Sequence, residues 1–231
     1  MSTTGLFDVR EKVVLVTGGS RGLGRTMALA FGERGAKLAI ASRKLDRCQA
    51  VVKEIEASGG EAIALACHVG DWDSLEVVVD TVCEHFGRID VLINNAGMSP
   101  LAPSLLSTSE TLFDKIIAVN LKGPTRLTAL VAARMAETGG GSIINISSLA
   151  ADKPMPLTTV YSAAKAGLNA LTLASAQEFA GCNVRVNGIV CGTFDTDILA
   201  GVLSDPKLVD EVVKPIALGR VGKPEEIVGA V

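Results

Sequence analysis

The chain has 231 residues, 48 % of them hydrophobic and 20 % charged, with a formal net charge of −3 at neutral pH. That length suits one large α/β domain with a sizeable core, and the weakly acidic balance excludes the basic footprint of a nucleic-acid or anionic-lipid binder. Aromatic residues make up only 3 %, so the core must be built from Val, Ile, Leu and Ala. No apolar run approaches a membrane span, and the polar start MSTTGLFDVREK lacks a signal-peptide core. The expectation is a cytoplasmic protein with neither membrane nor nucleic acid as partner. The cysteines (Cys48, Cys67, Cys83, Cys182 and Cys191) are odd in number and scattered, which fits a reducing compartment. Neither CH at 67–68 nor CEH at 83–85 has the spacing of a zinc motif, so no metal is expected.

Short Val/Ile-rich runs alternate with helical patterns along the chain. Strands are expected at 12–17, 37–42, 61–66, 89–94, 142–147 and 184–189, and helices at 23–34, 44–58, 73–86, 109–137 and 158–180. Nearly continuous apolar strands between helices predict a doubly wound parallel sheet covered on both faces, a single-domain Rossmann fold over 1–231. Residues 193–215 contain no strand pattern and are expected to form a helical flap. GKPEEIVGAV starts a helix at Pro224 and stops at Val231 before two turns are complete.

Between the first strand and first helix, TGGSRGLG places Gly18, Gly19, Gly22 and Gly24. Glycine there lets backbone approach a pyrophosphate that faces a helix N-terminus; glycines also serve bare strand-to-helix corners. Where an acid gripping both ribose hydroxyls would mark an NAD site, the second strand ends in Ser42 and Arg43. With Arg21 in the glycine turn, this pattern suits a 2′-phosphate, so NADP(H) is preferred and NAD(H) is possible. Asp46 lies close enough in sequence to reach a ribose.

Tyr161 is the only tyrosine of the chain, and Lys165 follows it by four residues. That spacing puts both on one helix face. An ammonium beside a phenol lowers its pKa toward a range useful for proton transfer. Ser148 precedes Tyr161 by thirteen residues, in NISS at the end of the fifth strand. Asn120 falls inside a predicted helix, where asparagine is mildly unfavourable; this points to a special use such as holding an ordered water. NNAG at 94–97 ends the fourth strand. These pieces fall at the strand C-termini or in adjoining helices, the edge where doubly wound sheets bind ligands.

The ordered set TGGSRGLG, NNAG, VNLKG, NISS, YSAAK and VRVNGIVCG resembles the short-chain dehydrogenase/reductase family over essentially the whole chain. The resemblance implies a tetrad. Tyr161 would exchange a proton with the substrate oxygen, Lys165 would lower the tyrosine pKa and hold the nicotinamide ribose, and Ser148 would polarise the carbonyl. Asn120 would hold a relay water. It further implies cofactor contacts from Gly18, Ser20, Arg21, Gly22, Leu23, Gly24, Ser42, Arg43, His68, Val69, the backbone of Asn94, Asn95, Ala96 and Gly97, and Gly192, Phe194 and Thr196, besides Tyr161 and Lys165. The substrate pocket would draw on Met98, Ser99, Leu149, Met155, Cys191, Phe194, Ile198, Leu199, Val202 and Leu203. This mostly apolar set, without an arginine clamp, suits a medium-sized apolar ketone or a β-ketoacyl thioester.

The sequence departs from the family's pattern in three places. His68 stands where an Asp usually meets adenine, Cys191-Gly192 replaces the usual Pro-Gly, and the usual final strand is lacking after Val231. Small residues on the 158–180 helix (Ala163, Ala166, Gly167 and Ala170) would let helices pair, and the resemblance implies a homodimer or homotetramer. The leading expectation is hydride transfer between NADP(H) and a ketone or secondary alcohol. One alternative is a 3-oxoacyl-thioester reductase, which a cationic patch for an acidic carrier would mark; only scattered Arg126, Arg134 and Lys153 are seen. Another is a non-catalytic nucleotide-binding protein, inactive through C-terminal truncation. A methyltransferase on a similar sheet would leave Tyr161 and Lys165 unexplained.

Overall fold

The aliphatic runs form six parallel strands, and the computed structural model describes residues 7–196 and 206–231. The strands are β1 (Val13–Thr17), β2 (Lys37–Ser42), β3 (Glu61–Ala66), β4 (Val91–Asn94), β5 (Gly141–Ser148) and β6 (Val184–Cys191), in the order β3-β2-β1-β4-β5-β6. Side chains alternate across the pleat. Thus Val13 and Leu15 face one layer, while Val14 and Val16 face the other. Helices α1 (Gly22–Glu33) and α2 (Leu45–Ala57) cover the second layer through Met27, Phe31, Val51 and Ile55. Helices α3 (Ser74–Phe86) and α5 (Gly123–Glu137) cover the first through Leu75, Val82, Leu127 and Met135. Helix α6 (Thr159–Glu178) adds Ala176 to that side. The result is a doubly wound α/β sheet, and the strand order reverses beside β1, between β2 and β4. Such a reversal opens a crevice at the strand C-termini.

The expected helix over 109–137 is interrupted. It consists of α4 (Glu110–Ile117), a π-helical turn at Ala118–Lys122, and α5. Pro124 has no N–H to bond back one turn, and its ring crowds the carbonyl four residues earlier. Gly123 is pressed onto the neighbouring loop, for a Cβ there would lie 2.2 Å from the Val69 carbonyl oxygen. The widened turn contains Asn120, and such turns cluster at functional sites.

Of the flap expected at 193–215, the structure describes 193–196 and α7 (Pro206–Val213), with 214 and 215 beyond it. Ile198, Leu199, Val202 and Leu203 lie outside the described residues. Pro224–Ala230 is a 3-10 helix, where the sequence predicted the start of an α-helix. Its first turn is held by Glu226, which accepts from the Lys223 amide at 2.7 Å and pairs with Arg220 at 2.7 Å. Its Ile227 is buried in the layer of α1 and α2.

Candidate active site

At the end of β1, the side chains of Thr17 and Asn95 join the glycine turn to the end of β4. The Thr17 hydroxyl donates to the Ile93 carbonyl at 3.2 Å and accepts from the Asn95 and Ala96 amides at 3.1 and 3.2 Å. Asn95 Nδ2 donates to the carbonyls of Thr17 and Gly18 at 2.9 and 3.3 Å. Gly18 has φ +65°, and a Cβ on Gly24 would sit 2.3 Å from the Gly18 oxygen. Both positions therefore require glycine. The first helical turn of α1 starts at Gly22, and its N-cap Arg21 makes no side-chain cap bond. The Gly18 and Gly19 amides are taken by the Ala41 carbonyl, so a diphosphate would be met by the first amides of α1, where the close backbone leaves room for it. Thr196 packs at 3.6 Å from the Cβ position of Gly22, which brings the end of the β6 segment over the turn. Leu23 packs into the core below, and Ser20 is half-buried.

At the end of β2 the Ser42 hydroxyl faces inward. It lies 3.0 Å from the Cys48 thiol and 3.4 Å from the Lys44 amide, while Arg43 is exposed at the rim. His68 folds onto its own loop, its Nδ1 accepting from the Gly70 amide at 3.1 Å, and the Val69 side chain is buried in the core. Any cofactor contact from Val69 therefore falls to its backbone.

Asn120 and Lys165 meet at Gly97, and Tyr161 lies beside Lys165 and Ser148. A Cβ on Gly97 would lie 3.1 Å from Asn120 Oδ1 and 3.8 Å from Lys165 Nζ. Asn120, fully buried, donates through Nδ2 to the carbonyls of Met98 and Ile116, both at 2.9 Å, and accepts from the Met98 amide at 3.2 Å. This asparagine thereby clamps the loop after β4. Lys165 Nζ donates to the Ile146 carbonyl at 2.7 Å and lies 5.8 Å from the centre of the Tyr161 ring. Ser148 ends β5 beside Cys191 of β6, and its hydroxyl accepts from the Ala150 amide at 3.2 Å.

Burial dominates the electrostatics of the tyrosine and the lysine. Burial pushes the Tyr161 phenol above its ordinary pKa, the neighbouring Ser148 hydroxyl pulls it down, and Cys191 pushes it up. Burial also pushes Lys165 down to about 8, against a smaller opposing effect of Cys191. Lys165 is buried against β5. Its ammonium is itself disfavoured by desolvation and is turned toward the β5 backbone.

Leu149 and Met155 are exposed at the mouth, 46 % and 61 % accessible, whereas Cys191 is buried. Met98 and Ser99 are half-buried and follow the clamped loop, Gly192 is exposed, and Phe194 packs against Gly222. A narrow cleft beside Tyr161 is lined by Pro100, Ala102, Leu105, Ile116 and Leu157. An Ala102–Leu157 backbone bond of 2.9 Å closes it. Sequence reasoning missed these lining residues as well as Thr17 and Cys48. A hydroxyl ending a buried strand before a glycine turn was the available signal for Thr17; Cys48 had none. Among the described residues, no group of His, Cys, Asp or Glu could hold a metal, and no helix is long and apolar enough to cross a membrane.

Comparison with known proteins places this arrangement. The family model for short chain dehydrogenases matches residues 12–207. An uncharacterised oxidoreductase of Thermotoga maritima is 39 % identical, with 97 % of this chain and 90 % of that protein covered. A 3-oxoacyl-[acyl-carrier-protein] reductase of the same organism is 37 % identical, over 94 % of this chain and 87 % of the reductase. The solved structure of a 7α-hydroxysteroid dehydrogenase, complexed with NADH and 7-oxo glycochenodeoxycholic acid, superposes with a TM-score of 0.93. It is 30 % identical, covering 100 % of this chain and 89 % of that one.

Proposed function

The chain belongs to the short-chain dehydrogenase family, and we propose that this oxidoreductase transfers a hydride between NADP(H) and an apolar ketone or secondary alcohol. The carrying observation is the chain of neighbours Asn120, Lys165, Tyr161 and Ser148, in which Asn120 and Lys165 meet at Gly97 after β4 and Ser148 at the end of β5 stands beside the phenol. The nicotinamide cofactor supplies the hydride chemistry when bound. The protein supplies the proton and the orientation. In the reduction direction the Tyr161 phenol gives its proton to the carbonyl oxygen, and its raised pKa keeps it protonated for that role. Ser148 orients the same oxygen. Asn120, beside Lys165, holds the loop of Gly97 and Met98 and would hold the relay water that links Lys165 to solvent.

Preference for NADP(H) rests on Ser42, Arg43 and Arg21. No acid at the end of β2 grips a ribose, the Ser42 hydroxyl is occupied by Cys48, and the exposed Arg43 is left to meet a 2′-phosphate. The apolar rim of Leu105, Leu149, Met155 and Leu157 favours an uncharged ketone. A second reading, reduction of a 3-oxoacyl thioester, is favoured by the 37 % identity to the Thermotoga reductase. Ala163, Ala166 and Ala170 are exposed along α6, a face suited to pairing in a homodimer or homotetramer. Gly167 does not share it, since its Cβ position faces Leu121. A cytoplasmic location remains part of the proposal.

The test is NADPH and NADH oxidation, measured separately, against a ketone panel that includes an acetoacetyl thioester. Turnover favouring NADPH supports the reading, and the fastest ketone ranks the two substrate classes. Tight NADPH binding with no turnover on any ketone points to a binding protein instead.

A further inference from the structure

Helix α6 carries Lys165, Asn169 and Thr172 at i, i+4 and i+7, one face of the helix. That face lies against β5, where a helix covering a parallel sheet ordinarily presents aliphatic side chains. All three meet the same strand. Lys165 Nζ donates to the Ile146 carbonyl at 2.7 Å, Ser147 Oγ donates to Asn169 Oδ1 at 2.5 Å, and Asn145 Nδ2 donates to Thr172 Oγ1 at 2.9 Å. Asn145, Ser147, Lys165 and Thr172 are buried. The cluster extends to β4 and α5, since Asn94 Nδ2 donates to Asn145 Oδ1 at 2.9 Å and to Thr128 Oγ1 at 3.3 Å. Tyr161 stands one turn before Lys165 on the same helix.

Apolar contact is non-directional and tolerates small slides of a helix over a sheet. Three hydrogen bonds at different heights do not, for a slide would leave buried polar groups without partners. Stability alone gives no reason for the cluster, because well-packed apolar residues would serve equally well. A fixed register gives one. We propose that Asn169 and Thr172, with Asn145 and Ser147 as their strand partners, are positioning residues that lock α6 against β5 so that Tyr161 and Lys165 reach the reacting atoms. This rests on the reading of Tyr161 and Lys165 as the proton-handling pair.

The test compares Thr172→Val, which keeps the shape and loses the hydroxyl, with Thr172→Ser, which keeps it. Turnover, KM and melting temperature are measured, and lysine 13Cε titrations are followed by NMR in the cofactor-free protein, with Lys165→Met assigning the signal. Cys191 on β6 and Tyr161 on α6 are the titratable neighbours of Lys165, and neither variant alters them. In Thr172→Val, kcat should fall about tenfold with KM nearly unchanged, as expected for a small misplacement. The Lys165 midpoint should rise from about 8 as water reaches the ammonium. Thr172→Ser should restore both. A lower melting temperature with unchanged kcat and an unmoved midpoint would overturn the proposal. If the wild type turns over no ketone, the functional reading fails, yet the midpoint still decides the positioning claim. Should Thr172→Val not fold, Asn169→Ala at a half-buried site takes the same two readings, with the same outcomes.

Discussion

The glycine turn and the tyrosine–lysine end of the cleft are built by different means. At the turn, backbone does most of the shaping: Gly18 is left-handed, Gly24 lies against Gly18, and Thr17 and Asn95 hydrogen-bond almost entirely to main chain. At the other end, buried side chains carry the geometry, and Lys165 lies in a place that desolvates its charge. Backbone is suited to holding a diphosphate, whose recognition needs only donors at close approach. Proton transfer needs groups whose protonation is tuned, and tuning requires burial. The first end should therefore fail by steric exclusion, and the second by chemistry within an intact fold.

The largest expected effect falls on the second end. Tyr161→Phe should lower kcat about a thousandfold while cofactor affinity stays within a factor of two or so; fluorescence titration with NADPH beside steady-state rates separates the two. A mutant retaining most of its turnover would remove the tyrosine from the mechanism. The steric counterpart is Gly24→Ala, whose Cβ would meet the Gly18 oxygen at 2.3 Å. It should weaken NADPH binding at least about tenfold and cost about 1–3 kcal/mol of stability, both readable from binding and thermal melts. Unchanged affinity would mean that the turn adapts and that close backbone is not what shapes this end.

Lys165→Met sharpens the contrast by setting function against stability. The folded pKa of about 8 lies below the ordinary lysine value of 10.5, so the charged lysine disfavours the folded state. Replacing it should abolish turnover yet stabilise the cofactor-free protein by up to about 3 kcal/mol below pH 8. Loss of the bond to Ile146 reduces that gain. Because the unfolded chain holds its proton longer, wild-type stability rises as pH climbs from about 8 toward 10.5, and the variant's advantage disappears over that window. Denaturant melts at pH 7 and pH 10 check the sign. The smallest effect is expected at Arg43→Asp, which should shift the NADPH-to-NADH preference about tenfold or more toward NADH without altering the melt. An unchanged ratio would place the phosphate contact elsewhere, with Arg21 the next residue to test.

Much of this was legible in the residues. Parallel strands buried on both faces read as continuous aliphatic runs, so all six appeared within one or two residues of their observed ends. The motifs at strand C-termini read well because a glycine turn, an Asn-Asn-Ala-Gly and a Tyr-Lys pair each carry their spacing locally. The break in the 109–137 helix was not legible, because it depends on Gly123 meeting the Val69 carbonyl across space. Nor was the inward turn of Ser42 onto Cys48, since six residues of sequence separation do not say which way a hydroxyl points.

The sequence by itself determined the strands and their order along the chain, because periodicity encodes them, and its motifs, through the family they resemble, nominated the four polar residues proposed for the site. Only the tertiary structure decided how those residues are charged and held. Burial lowers the pKa of Lys165 and raises that of Tyr161, and the polar face of α6 finds its partners on β5. Desolvation and hydrogen-bond pairing depend on what surrounds a group from every side, and those surroundings come from chain segments far apart in sequence.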